Sequence, residues 1–277
     1  MRNILKLNQN TLLILLLLAV AVGCKKKDEP TPQDAIESAE DQAQMEGEYA
    51  TIYSYADDEA SKTGSGKTDE FRVRQLPACA TVTKDSTAAN RTITIDFGTT
   101  GCLCQDGRTR KGIIRVVVTG DYRRAVGSRA EITLDNYYVD DLKFTGTKVI
   151  ENLTATTRKV TVTNATATNS EGTRTWSGER TFERLAGGDT PEHGDDVITI
   201  TGSGTGTNRK GITFTWKTIQ PIKKRGDCER IVSGIKEVSN SNGKVMTINF
   251  DPNGGEPCDR IASVTINGRT REITLRH

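Results

Sequence analysis

Histidine is almost missing from this chain of 277 residues, with His193 and His277 the whole supply. Ser-His-Asp triads, Cys-His pairs and H-E-x-x-H zinc helices all need imidazoles placed beside other reacting groups. Neither a G-x-S-x-G elbow nor a P-loop occurs. Aromatic residues make up 5% of the chain and hydrophobic residues 34%. So lean a composition favours a thin core or an extended sheet over one thick core. A bilayer-spanning helix needs roughly 20 apolar residues, and after Val22 no long apolar run exists. Helix-turn-helix, zinc-finger and aromatic RNA-binding patterns are also missing, so no nucleic-acid partner is expected.

What is present begins at the front. Arg2 and Lys6 precede Thr11–Val22, an apolar run of twelve residues that is too short for a stable anchor and of a length suited to a secretory signal. Small residues Ala21, Val22 and Gly23 then lead into Cys24. This order resembles the lipobox of bacterial lipoproteins, which implies cleavage before Cys24 and a lipid on its sulfur. A lipidated cysteine carries at least two acyl chains, and two chains give a lasting anchor where one does not. Lys27, Asp28 and Glu29 resemble the surface-export signal of Bacteroidota lipoproteins. The resulting division is a signal peptide over 1–23, a lipidated linker over 24–34, an acidic helix over 35–62 and a β-rich body over 71–277.

Charge is balanced overall and polarised along the chain. Asp28 to Ala60 holds 11 acids and no base, whereas residues 61–277 hold 33 bases and 25 acids. An acidic head on a basic body predicts that the head packs on or near the body. The other consequence of a basic body is attraction of anionic polymers such as acidic polysaccharide. In the head, Ile36, Ala39, Ala43, Ile52, Tyr53 and Ala56 recur near helical spacing with acids between them, and Gly47 is a candidate interruption.

The body alternates with period two in segments rich in Thr, Val and Ile, such as "GIIRVVVTG" (112–120) and "DVITITGSG" (196–204), with turn signals such as "NSEG" and "NSNGK" between them. That pattern predicts a mainly β fold, a meander of antiparallel hairpins forming an extended sheet or sandwich, preceded by one N-terminal helix. Both faces of several middle strands are polar, so one face of the sheet should be wet. Segments 71–112 and 214–275 echo each other as diverged end repeats. Each has an apolar strand, a cysteine, a strand ending in Phe, a second cysteine and a "GRTR" turn. "TITIDFG" (92–98), "DGRTRKG" (106–112), "NYYV" (136–139), "ITGSGTGTNRKG" (200–211) and "VTINGRTREITL" (264–275) resemble a group of uncharacterised Bacteroidota lipoproteins. That resemblance implies fold and location and brings no activity with it.

Beside Cys24 there are five cysteines. An envelope location permits disulfides, and the echo pairs Cys228 with Cys258, and Cys79 with Cys102 or Cys104. Each bridge would contribute on the order of 3–4 kcal/mol by closing its loop. Cys104 is the expected leftover. "CLC" lacks the second ligand pair of a zinc site, and no metal or cofactor is expected.

Candidates for chemistry are few. Asp189, Glu192, His193, Asp195 and Asp196 crowd one segment that could meet a divalent cation, but a long solvated loop between strands is the favoured reading. "DPNGGEPCD" (251–259) lacks the spaced oxygens and distal glutamate of an EF-hand and reads as a disulfide-pinned turn. With 36 acids, no particular carboxylate pair is nominated for glycoside hydrolysis. Trp176 and Trp216 lie in polar alternating strands and are the binding candidates: exposed, they could stack on a sugar; otherwise they anchor a sheet face. Tyr137 and Tyr138 should point to opposite faces. "DST" (85–87) resembles an O-glycosylation motif of Bacteroidota envelopes, which would modify Ser86. The expected function is a non-enzymatic binding or adhesion module, lipid-anchored in the outer membrane at the cell surface, whose partner is a glycan or an envelope protein. The alternatives are a structural lipoprotein of the periplasmic face that partners an outer-membrane protein, and a carbohydrate-active enzyme.

Overall fold

A computed structural model describes residues 32–61, 76–86, 90–121, 125–188, 190 and 194–275. The signal, Cys24 and the charged linker before Pro32 lie outside these residues, as do Asp189, Glu192 and His193. The chain from Pro32 onward is one compact unit. It opens with a helix, α1 (Pro32–Ser61). Pro32 suits the first helical position, where its missing N–H has no partner to lose. Ala, Glu and Gln, which carry high helix propensity, dominate the rest. The helix runs unbroken through Gly47. Among the described residues no helix is long and apolar enough to cross a membrane.

Among the described residues every other regular element is a strand: β1 (Thr81–Ser86), β2 (Asn90–Asp96), β3 (Cys102–Leu103), β4 (Thr109–Thr119), β5 (Arg129–Val139), β6 (Leu142–Asn152), β7 (Thr157–Asn169), β8 (Gly172–Ala186), β9 (Val197–Thr207), β10 (Thr213–Arg225), β11 (Cys228–Asn240), β12 (Val245–Asn249), β13 (Ile261–Ile266) and β14 (Arg269–Thr274). They form one antiparallel sheet of 14 strands in the order β1-β2-β4-β5 and onward to β14, with β3 paired to β4. Sequential neighbours pair, several of them across tight turns. Asn267 and Gly268, both at positive φ, join β13 to β14, the signature of a two-residue hairpin.

One face of the sheet is buried. Its residues alternate strictly along β2 and β4, where Ile93, Ile95, Ile114, Val116 and Val118 are all within 1% of full burial. The helix lies on this face and touches β2, β4, β8 and β11. It is therefore wrapped by strands far apart in the sheet order. Met45 and Ile52 are fully buried, each contributing about 1.5–3 kcal/mol by removal from water.

The apolar face expected for the helix is only half right. Ile52, Tyr53 and Ala56 are buried, but Ile36 is 37% exposed and Ala43 faces solvent. Asp41, Glu48, Asp57 and Glu59, expected between the apolar positions, are buried instead. A helix polar on most sides stays buried because the sheet supplies its counter-charges.

Disulfides join Cys79 to Cys102 and Cys228 to Cys258, and Cys104 is a free, buried thiol. The two ends of the sheet also share a local device. The Phe97 amide donates to the Gly112 carbonyl and the Phe250 amide to the Gly234 carbonyl, each at 3.0 Å. Gly112 and Gly234 both have positive φ, so a bulged glycine receives the chain as it leaves a short strand.

Candidate functional site

The densest chemistry lies between the helix and the inner face of the sheet. At the helix start, the Asp41 carboxylate is fully buried. Its Oδ1 accepts from Arg174 Nε at 2.9 Å and its Oδ2 from the Arg209 backbone N–H at 2.8 Å. The Arg209 guanidinium caps the same carboxylate. Burial pushes the Asp41 carboxyl up, but the hydrogen bonds from Arg209 and Arg174 outweigh it and hold the group below its ordinary range. Glu171, in the β7–β8 turn, bridges Arg174 and Arg209 from the other side, both at 3.1 Å. Asn208 donates to Ser38 at 3.2 Å. Two turns of the sheet are thereby fastened to the first turns of the helix.

One turn further on, Glu46 meets Arg180 and Lys236, the latter at 2.9 Å. These cations lie over the Trp176–Trp216 pair. The rings stack at 6.3 Å, and Arg180 stands 4.7 Å from the Trp216 centroid. Burial lowers the Arg180 pKa to about 10. Burial, reinforced by Arg180, puts Lys236 well below its usual value. Trp216 lies across Gly178 and Gly204, where an added Cβ would sit 2.6 Å from its ring atoms in each case. Within "GSGTGT", Gly204 thus makes room for an indole, Gly206 for the Phe214 ring and Gly202 for the Arg180 side chain.

On the helix's next face, Arg110 is fully buried and each of its three nitrogens is hydrogen-bonded. Nε reaches Glu48 at 3.2 Å and the Tyr137 hydroxyl at 3.1 Å, and Nη1 and Nη2 reach Asp106 at 2.8 Å each. Nη2 also meets Glu48 Oε2 at 3.0 Å. The Tyr137 hydroxyl donates to Glu48 Oε1 at 2.8 Å. Burial raises the Glu48 carboxyl above its ordinary value despite Arg110. Burial and the neighbouring Glu48 push Tyr137 well up. Arg110 loses by burial but gains more from Asp106 and Glu48, and stays charged. Tyr49 donates to the Thr145 carbonyl, and Lys148 to the Tyr49 carbonyl at 2.9 Å. Lys84 holds Glu59 at 3.1 Å near the helix end.

Trp176 and Trp216 require a correction. They are 4% and 2% exposed, packed inward against each other and the helix, and neither offers a ring to a sugar. Inward placement follows from the strand parity they share with Arg174 and Arg180, which serve the helix. Tyr137 and Tyr138 do diverge: Tyr137 is buried, while Tyr138 stands on the outer face with Lys111 4.4 Å and Lys143 5.7 Å from its centroid. Asp195 accepts from Thr190 at 2.7 Å and Asp196 is buried 3.7 Å from Arg184, so these two belong to the local turn. Among the described residues no group of acidic, Cys or His side chains is arranged to hold a metal. Glu256 ties the 251–259 turn to Lys223 and Ser233. Ser86 is exposed at the end of β1.

The residues that sequence reasoning missed are Asp41, Glu48, Arg110 and Arg174. Their signal was the opposite charge of head and body, which indicates docking without naming pairs.

No family model, no curated protein and no solved structure matches this chain.

Proposed function

We propose that the chain is a non-enzymatic binding module, tethered by lipid at Cys24 to the outer membrane and facing the cell exterior. One observation supports this most. The buried face of the sheet is filled by the protein's own helix, whose carboxylates at Asp41, Glu46 and Glu48 are each held by arginine. A glycosidase keeps one carboxyl free to donate a proton and another free to attack; these three are committed to neighbours. Contacts with other molecules then fall to the outer face and the turns. The docked helix also removes a spacer, so the tether is the short segment between Cys24 and Pro32. Part of the basic excess of the body is matched by the helix: Arg110, Arg174, Arg180, Arg209, Lys84, Lys210 and Lys236 all meet its acids. Attraction of acidic polymers is correspondingly the weaker reading.

The test is protease treatment of intact cells, followed by probing for the chain. Rapid loss from unbroken cells supports an outward position. Survival until the outer membrane is opened sinks it, and favours a periplasmic partner of an outer-membrane protein.

A further inference from the structure

The outer face of the sheet carries a lattice of hydroxyl groups whose register is fixed by strand pairing. Thr145 of β6 lies opposite Thr166 of β7, Thr166 opposite Thr175 of β8, Thr175 opposite Thr207 of β9, and Thr207 opposite Thr213 of β10. Five threonines thus form one line across five strands. Beside it runs a second line, Ser177–Thr205–Thr215–Ser239, from β8 to β11. These nine side chains include no charge, in a chain that is 27% charged. Charge returns in the next line, Glu179–Ser203–Lys217–Glu237, and across the other border at Lys143. The neutral hydroxyl strip is therefore bounded by a charged line on one side, while on the other Lys143 stands in line with Thr168 and Thr173, which extend the hydroxyls.

Thr145 bonds to Thr166 at 2.7 Å and Thr175 to Thr207 at 2.9 Å. Each hydroxyl has one donor and two acceptor sites, so every such pair keeps a donor and acceptors for a ligand. Neighbouring strands lie about 4.8 Å apart, which gives the five-threonine line a length of about 19 Å. Twist decides the shape of the ligand. Adjacent strands rotate by roughly 20–25°, so the surface normal turns by roughly 80–100° along the line. A flat crystalline surface would meet only part of it, whereas a single chain with rotatable linkages can follow it.

We propose that this strip binds a neutral, hydroxyl-rich polysaccharide chain laid across strands β6–β11. The inference rests on the binding-module reading and names its ligand. Neutral sugar hydroxyls match a strip with hydroxyls and no cation, and an acidic polymer would find no counter-charge there. The methyl groups of the threonines give the sugar C–H faces an apolar floor, in place of the aromatic platform that the buried tryptophans do not provide.

The test uses the full lipidated chain in detergent micelles, with immobilised β-glucan and dextran as neutral probes and alginate as the acidic one. A triple variant, Thr166→Val, Thr213→Val and Thr215→Val, removes hydroxyls while keeping shape and strand propensity. Thr92→Val with Thr94→Val, on the outer face of β2, is the control. The expected result is binding to a neutral polymer that persists in about 0.5 M salt, roughly three times physiological ionic strength, falls at least tenfold in the triple variant and is unchanged in the control. Circular dichroism verifies that each variant is folded. Binding only to alginate, equal binding by a folded triple variant, or no binding to any of the three polymers overturns the proposal. These outcomes are read on purified protein, so they are separate from the cell-surface result.

Discussion

Replacing Arg110 by methionine should cost about 3–5 kcal/mol of folding stability at pH 7, the usual penalty for stranding one partner of a buried ion pair. The magnitude follows from what is left behind. Glu48 is 3% exposed, and it would keep a hydrogen bond from Tyr137 while losing both contacts to the guanidinium. Asp106, with 21% side-chain exposure, can turn to water and suffers less. The reverse change, Glu48→Gln, leaves Arg110 on Asp106 and should cost less than the arginine change. Urea titration followed by fluorescence of the buried Trp176 and Trp216 measures both variants. The pH dependence is the sharper check. Burial already raises the Glu48 carboxyl in the fold, and removing Arg110 raises it further. A group with a raised folded pKa contributes stability below its unfolded pKa and loses it as pH rises through the folded value. The deficit of R110M should therefore be smallest near pH 4.5 and grow by up to about 1.4 kcal/mol per pH unit above it until the raised pKa is passed. A deficit under about 1 kcal/mol at pH 7, or one that does not shrink on acidification, refutes the assignment of Glu48 as a buried, arginine-dependent carboxylate.

Three further outcomes are expected. Gly47→Ala should raise stability by about 0.5–1 kcal/mol in the same titration, because a Cβ there meets nothing within 4 Å and the helix passes straight through. Gly204→Ala should lower stability by about 1–3 kcal/mol or more and change the tryptophan emission, since its Cβ would lie 2.3 Å from the Ser177 carbonyl and 2.6 Å from Trp216. Asp41 has a lowered folded pKa, so its contribution is present above about pH 4 and is lost as pH falls through the folded value. An acid-unfolding series should show Asp41→Asn well below the parent at pH 7 and converging with it in acid; parallel curves would contradict the sign.

The strands were legible because period two survives a lean composition, and because turn pairs such as Asn267–Gly268 state their geometry locally. The face that each strand buries was less legible. Where both sides of a strand are polar, parity alone does not say which side is inside, and Trp176 and Trp216 fell to the side that the helix covers. The helix was placed correctly and its buried face was not. An apolar count places Ile36 and Ala43 inward, yet the deciding partners of the helix are cations 62 residues away for Glu48 and 133 residues away for Asp41. No local window contains such pairs. The excess of one charge in each half announces that they exist, and only the register of the strands selects Arg110 and Arg174.

Ion pairing of this kind makes helix and sheet conditional on each other. The helix has too little apolar surface to be held by burial alone, and an isolated helix owes little stability to propensity. The inner face of the sheet, for its part, presents Arg110, Arg174, Arg180 and Lys236 beside tryptophan and isoleucine, a mixture that is poorly covered by water or by another apolar layer. Each buried cation is costly alone and tolerable against a carboxylate. The helix brings those carboxylates at intervals that match successive strands: Asp41 to β8 and the β9–β10 turn, Glu46 to β8 and β11, and Glu48 to β4. Because the wrong register would strand several charges at once, these pairs specify one alignment of a sheet whose threonine-rich strands specify register only weakly. The same division explains why the outer face can be so uniform. Register is set chiefly from inside, and the outward hydroxyls, though bonded across strands at Thr145–Thr166 and Thr175–Thr207, face outward for contact.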